Sequence, residues 1–81
     1  MFLVLEAIKK AISEEFFIPE DQIKEESNLK EDLGIDSLAA MQLILDMEKE
    51  FHIHVEDEEV MEIDTVADVI ALLEKKTKEE A

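Results

Sequence analysis

Side chains that can do chemistry are few in this chain, and most of them are carboxylates. The sequence of 81 residues has no cysteine, tryptophan or tyrosine, and all 8 of its basic residues are lysines. Its two histidines, His52 and His54, are separated by one residue. A catalytic set needs converging nucleophiles, acids or bases, and this inventory offers only carboxylates beside a histidine pair. We therefore predict no catalytic residue and no enzyme activity.

The histidine pair and the acidic run after it are the candidates for a metal site. A zinc site needs further ligands at suitable spacing, and nothing near the two histidines provides one. The acidic residues 56–59 and Glu62 lack the spacing of a calcium-binding EF-hand loop. We predict no specific metal site and interpret the histidines as a partly exposed loop pair.

A serine at a predicted helix start is the remaining candidate. Asp36 and Ser37 precede a long apolar-rich segment, and either residue can cap a helix by accepting backbone N–H groups. Gly34, the only glycine, lies just before them and can adopt backbone conformations that other residues resist. Taken alone, an Asp-Ser pair at this place is most often an ordinary cap.

The elements that position this serine are predicted to be helices, because glycine and proline are scarce and apolar residues recur at helical spacing. The first helix is predicted from about Phe2 to Phe17, ending because the residue before Pro19 disfavours helical dihedrals. A long connection over residues 18–36 follows, with isolated apolar anchors and a short helical turn. The second helix is predicted to start at Asp36 or Ser37 and to reach Phe51.

Two further helices are predicted towards the C-terminus. A short helix fits Asp57 to Met61, and the last begins at Asp64 or Thr65, where Thr65 and Asp68 resemble a capping box. Residues 77–81 are expected to form a frayed tail, which leaves a single domain over residues 1–76. The predicted fold class is all-α: a small bundle of three main helices plus one short helix, with a long loop between the first two.

Acidic residues dominate the composition. There are 23 of them against 8 basic residues, and the formal net charge is −15. Such a surface repels nucleic acid phosphates and anionic lipid head groups, so we predict no nucleic-acid binding and no membrane insertion. The apolar residues 1–5 are too few for a signal peptide or a membrane span. We expect a cytoplasmic monomer.

The segment around the candidate serine resembles a known attachment site. Residues 31–38 read EDLGIDSL and look like the prosthetic-group attachment site of acyl carrier proteins. Similar segments follow at Phe51, at residues 55–59 and at residues 64–68. The resemblance covers the chain from the first helix to about Lys75, and the shared order and spacing make it specific.

This resemblance implies a carrier whose Ser37 receives 4′-phosphopantetheine through a phosphodiester. The thiol that holds an acyl group as a thioester then belongs to the arm, which suits a chain without cysteine. A phosphate at the positive end of a helix dipole is physically favourable. The implied partners are a phosphopantetheinyl transferase of the holo-acyl-carrier-protein synthase type, together with acyl-chain synthases, reductases, dehydratases and acyltransferases that present basic docking patches.

The resemblance also suggests residues for partner recognition and for sheltering the acyl chain. The candidates for partner recognition are Asp36, Leu38, Met41, Glu48, Glu50 and Glu58. Soft methionine side chains can repack around a guest, and the candidates for an acyl pocket are Met41, Leu45 and Met61. Positions 39 and 42, which are often acidic in fatty-acid members, hold Ala39 and Gln42 here. We therefore expect partner contacts near the arm to be less electrostatic.

The sequence is compatible with several functions. Fatty acid biosynthesis is the first hypothesis, and carriers of polyketide, lipid A, aminoacyl or D-alanyl pathways share the same arm. The alternative of another class is an acidic interaction module without a prosthetic group, which binds a basic partner or calcium. Modification of Ser37 distinguishes the carriers from this module.

Overall fold

Helices and their connections make up the part of the chain that the structure describes. The computed structural model describes the backbone of residues 2–80 and the side chains of residues 4–78. Its helices are α1 (Phe2–Phe16), α2 (Ser37–Phe51), α3 (Asp57–Met61) and α4 (Val66–Glu80), and a 3-10 turn covers Glu20–Gln22. The predicted all-α bundle of three main helices and one short helix is confirmed, and α3 has its predicted bounds.

One apolar core lies between the long helices. Val4, Ile8 and Ile12 form a row at helical spacing on α1 and are buried, as the periodicity of the sequence predicts. The side chains of the long helices that are at most 2% exposed are Ile8, Ile12, Leu43, Ile44, Val66, Val69 and Leu73. Burying one such side chain stabilises the fold by about 1.5–3 kcal/mol. The core therefore fixes α2, and with it the position of Ser37.

Helix α1 ends one residue earlier than predicted. Phe17 has a φ of 57°, in the left-handed region, so the helix stops before the dipeptide Ile18-Pro19 that was expected to end it. The reversal lets Ile18 turn back and pack against the core. A left-handed conformation costs a non-glycine residue about 1–2 kcal/mol, and the Phe17 side chain recovers little of this by burial because it is 90% exposed.

The long connection between α1 and α2 is held against the rest of the molecule. Its buried anchors are Ile23, Leu29 and Ile35. Its middle also pairs with the segment before α4: the Leu29 N–H donates to the Asp64 carbonyl at 2.8 Å, and the Val66 N–H donates to the Ser27 carbonyl at 3.0 Å. These contacts give the approach to Ser37 a defined path.

Helix α4 begins with the predicted capping box. The Asp68 N–H donates to the Thr65 hydroxyl at 3.2 Å, and the Asp68 carboxylate accepts the Thr65 N–H at 3.0 Å. The helix itself starts at Val66, because Thr65 is its cap. Residues 77–80, expected as a frayed tail, continue α4 in the structure, where the Thr77 hydroxyl donates to the Glu74 carbonyl at 3.0 Å. Residue 81 lies outside the described residues.

Candidate functional site

Ser37 is the first residue of α2 and its side chain is exposed. Asp36 caps the helix, because its carboxylate accepts the Ala39 N–H at 2.9 Å and its carbonyl accepts the Ala40 N–H at 2.8 Å. The N–H groups of Ser37 and Leu38 have no acceptor inside the helix because of their position in the first turn. A phosphate on the Ser37 oxygen would therefore lie near unpaired donors and the positive end of the helix dipole.

The turn before Ser37 is tightly hydrogen bonded. The Asn28 side chain accepts the N–H groups of Lys30 at 3.0 Å and Glu31 at 2.8 Å, and the Ile35 N–H donates to the Leu29 carbonyl at 2.7 Å. Gly34 has a φ of 70°, which side-chain-bearing residues adopt only with strain. The glycine in the EDLGIDSL segment is thus required by the backbone, and it delivers Ser37 to the start of the helix.

A cavity of about 140 Å³ opens beside Ser37, between the long connection, α2 and α3. Its apolar lining residues are Leu29, Ile35, Ala40, Val60, Met61 and Ile63. Its polar lining residues are Asn28, Lys30, Asp36, Ser37 and Asp64. Apolar and polar side chains thus contribute to this lining in similar measure, and a volume of about 150 Å³ is enough for a molecule the size of benzene.

The structure separates the three predicted pocket residues. Met61 lines the cavity beside Ser37. Met41 packs half-buried against the core, Leu45 is 51% exposed, and neither lines this cavity. Leu29 and Ile35 of the long connection also line the cavity. The sequence did not predict this, because both residues are far along the chain from α3 and approach it only in the folded protein.

The residues predicted for partner recognition also differ in their surroundings. Leu38 is 79% exposed beside Ser37, and Glu50 and Glu58 are exposed acids. Asp36 is exposed but acts as the helix cap. Met41 is half-buried against the core.

The Glu48 carboxylate is bound within the chain. Its side chain is 16% exposed, and one of its oxygens accepts the Val55 N–H at 2.8 Å. The same oxygen lies 3.4 Å from Nδ1 of His54. The left-handed His52 ends α2 and turns the chain back, which brings Val55 to Glu48. Glu48 thus secures the connection between α2 and α3.

The segment that contains His54 and the acidic residues 56–59 makes hydrogen bonds and ion pairs within the chain. His54 Nε2 lies 2.8 Å from a Glu56 carboxylate oxygen. Glu56 and Glu59 form a capping box at the start of α3. The Glu56 N–H and, secondarily, the Lys76 ammonium at 2.9 Å hold the pKa of Glu59 below its usual value. Among the described residues, no three histidine, cysteine or acidic side chains are grouped so as to hold a metal ion.

None of the described helices is both long and apolar enough to cross a membrane.

Comparison with known proteins first defines the class. A family model described as the phosphopantetheine attachment site matches residues 6–73. The acyl carrier protein of Thermotoga maritima is 40% identical over 73 residues, covering 90% of each chain. That of Wolinella succinogenes is 38% identical over 71 residues, covering 88% of this chain and 93% of its own. The chain belongs to the acyl carrier protein family, whose members are carriers of acyl groups and not enzymes.

Solved structures agree with this assignment. The crystal structure of the acyl carrier protein from Thermotoga maritima has a TM-score of 0.85 at 32% identity, covering 95% of this chain and 89% of that one. The acyl carrier protein from Enterococcus faecalis has a TM-score of 0.76 at 34% identity, covering 90% and 92%. The prosthetic group of the family is 4′-phosphopantetheine, and an exposed serine at a helix start, beside a cavity with both apolar and polar lining, fits such a group.

Proposed function

We propose that this chain carries acyl groups for fatty acid biosynthesis as thioesters on a 4′-phosphopantetheine arm attached to Ser37. The observation that supports this most directly is the exposed serine at the first position of α2, beside a cavity that is partly lined by apolar side chains. When attached, the arm supplies the terminal thiol on which the acyl group is held. The chain supplies the attachment hydroxyl, the surroundings of the phosphate and a shelter for the acyl group.

Three features of the chain would hold the phosphate end of the arm. The N–H groups of Ser37 and Leu38 point their partial positive charge out of the helix start. Lys30 is the single basic residue among those that line the adjoining cavity, and its ammonium can attract the phosphate. Because the turn from Asn28 to Ile35 is fixed by its hydrogen bonds, these groups need little reorganisation when the arm is attached.

The cavity beside Ser37 is proposed to shelter the acyl group. Val60, Met61 and Ile63 form its wall on the side of α3, and Met61 is 69% exposed. A flexible methionine at the rim can move aside for an entering chain and close over it. Shelter of a thioester-bound chain would cover its apolar surface between visits to partner enzymes.

Partner enzymes are proposed to contact an apolar patch next to Ser37. Leu38 is 79% exposed, while its neighbours Ala39 and Gln42 carry no charge. Exposed Glu50 and Glu58 add longer-range attraction for the basic patches of the partners. Replacement of Leu38 by Ala should weaken binding to the phosphopantetheinyl transferase at both low and high salt. Equal binding of the variant and the wild-type protein would rule out this role.

The attachment site is tested by intact mass. The purified apo-protein is incubated with coenzyme A, Mg²⁺ and a promiscuous phosphopantetheinyl transferase, and we expect a gain of one phosphopantetheinyl group. Ser37→Ala should gain nothing, whereas the control Ser13→Ala, which changes a half-buried serine on α1, should be modified like the wild-type protein. Modification of Ser37→Ala, or none of the wild-type protein, would refute the assignment.

The pathway needs a separate test. The holo-protein is mixed with malonyl-coenzyme A, a malonyl transferase and the enzymes of one fatty-acid elongation cycle, and the acyl species on the arm are followed by mass. Growth in two-carbon steps supports fatty acid biosynthesis. Loading of an amino acid by an adenylating enzyme, with no malonyl transfer, would instead assign the chain to an aminoacyl or D-alanyl pathway.

A further inference from the structure

A pair of carboxyl side chains joins α1 to α2. Glu15 of α1 and Asp46 of α2 line the same cleft between the two helices, and both residues are half-buried. Ionised carboxylates only accept hydrogen bonds, so a bond between two carboxyls requires that one of them carries a proton. Oxygen Oε2 of Glu15 is buried and has no hydrogen-bond partner among the described residues. A negative charge on that oxygen is therefore poorly stabilised.

The surroundings of this pair do not neutralise it. The two helices run in opposite directions, since Glu15 and Asp46 line one cleft while Glu6 and Phe51 line the adjoining one. The charged residues that line the cleft around the pair are Lys10 and Glu14 from α1 and Glu50 from α2. The adjoining cleft adds Glu6 from α1 and Glu20 from the 3-10 turn. A single lysine thus faces an excess of carboxylates.

The remaining neighbours of the pair lie on α2. The Gln42 amide nitrogen is 3.5 Å from an Asp46 oxygen, at the limit of a hydrogen bond. Lys49 is three residues further along α2 and is exposed. The hydrogen bond to Asp46, then burial, then the charge of Asp46 raise the pKa of Glu15 from 4.5 to about 7. The proton on the Glu15 carboxyl is therefore lost near neutral pH.

We propose that the Glu15–Asp46 pair is a proton-controlled latch between α1 and α2, which ties the two helices together while it holds a proton and pushes them apart once both carboxyls are ionised. The folded protein binds this proton more tightly than the unfolded chain does. The stabilisation is therefore complete below pH 4.5, declines as the pH rises, and is lost by about pH 7. Helix α2 carries Ser37, so the latch makes the rigidity of the carrier depend on pH.

The first test compares thermal unfolding of three proteins between pH 5 and pH 8.5. In Glu15→Gln the amide can donate to the Asp46 carboxylate at every pH, which reproduces the protonated pair. We expect this variant to unfold several degrees above the wild-type protein at pH 8, with the difference shrinking at pH 5. Glu14→Gln is the matched control, because it removes an exposed acid one residue away in the same cleft. Its curve should run parallel to that of the wild-type protein.

Comparison among the three proteins also removes the contribution of the histidines to the pH dependence of unfolding. Histidine side chains in general titrate in this pH range, and all three proteins retain both of theirs. If Glu15→Gln and Glu14→Gln shift the unfolding curve equally at every pH, the pair has no special role and the proposal fails.

A second test needs no variant and so does not depend on how one folds. Carboxyl carbon NMR of the wild-type protein should show the Glu15 carboxyl titrating near pH 7, where exposed acids have already ionised. The step should persist in 1 M salt, which screens charges at the surface more than those of a half-buried pair. The absence of any step above about pH 6 in the Glu15 carboxyl would overturn the latch.

Discussion

Filling the cavity beside Ser37 should stabilise the apo-protein and remove its shelter for an acyl group. Ala40 is 6% exposed and lines the cavity, and Ala40→Val adds two carbon atoms to a space of about 140 Å³. Burying each carbon contributes about 0.8 kcal/mol, or about 1.6 kcal/mol for both. Valine in a helix costs up to about 0.7 kcal/mol relative to alanine. The expected net gain in the free energy of unfolding is about 1 kcal/mol.

The assay compares unfolding temperatures of the apo, holo and hexanoyl forms. A gain of 1 kcal/mol raises the midpoint of a domain this small by about 4–8 °C, so apo Ala40→Val should unfold at a correspondingly higher temperature. The extra stabilisation that hexanoylation gives the wild-type holo-protein should shrink in this variant. The control Ala39→Val changes a half-buried neighbour that does not line the cavity. It should keep the full acyl-dependent stabilisation and lack the gain of the apo-protein.

Two results would refute this reasoning. Undiminished stabilisation of Ala40→Val by the hexanoyl group would mean that the chain is sheltered elsewhere. An apo form of Ala40→Val less stable than Ala39→Val would mean that the added carbons overpack the site, so that the cavity is not available space in solution.

Three further substitutions test the local structure, each by urea unfolding. Phe17→Gly should stabilise the protein by up to about 1 kcal/mol, because glycine adopts a left-handed φ without steric cost and the lost side chain is almost fully exposed; a destabilised variant would contradict this. Gly34→Ala should cost about 1 kcal/mol, since φ is 70° there although the added Cβ meets no atom within 4 Å; an unchanged midpoint would show that the turn tolerates alanine. The N–H groups of Asp64 and then Thr65 lower the pKa of Asp68 below 3.8, so its contribution is present above that pH and is lost on further acidification. Asp68→Asn should therefore lose less stability than the wild-type protein between pH 5 and pH 3, and equal losses would contradict the capping role.

Local sequence signals predicted the elements that position Ser37. The Asp36 cap, the bounds of α3 and the Thr65–Asp68 capping box each depend on residues within four positions of one another, and local hydrogen bonding decides such features. The end of α1 was predicted one residue late, because the left-handed Phe17 has no strong signal in a residue type that rarely adopts that conformation.

These local signals do not predict contacts between segments that are distant in the sequence. The Glu15–Asp46 pair depends on the relative register of α1 and α2, which helical periodicity alone does not set. The cavity lining by Leu29 and Ile35 depends on how the long connection folds back over α3. Glu48 was expected on the docking face because of the resemblance to the family, and nothing in the sequence indicated that the chain reversal at His52 would provide it with a backbone donor.

The net charge of −15 overstates the acidic surface that partners can use near Ser37. The carboxylates of Asp36, Glu48 and Asp68 accept backbone N–H groups, and that of Glu59 binds both a backbone N–H and Lys76. These four carboxylates thus stabilise helix starts and connections, and their charges are partly offset by the groups that they bind. The side chain that follows Ser37 is instead the exposed, apolar Leu38. Because the remaining exposed acids act over a longer range, we propose that they favour encounter with a basic partner, and that contact at the arm itself depends on apolar packing.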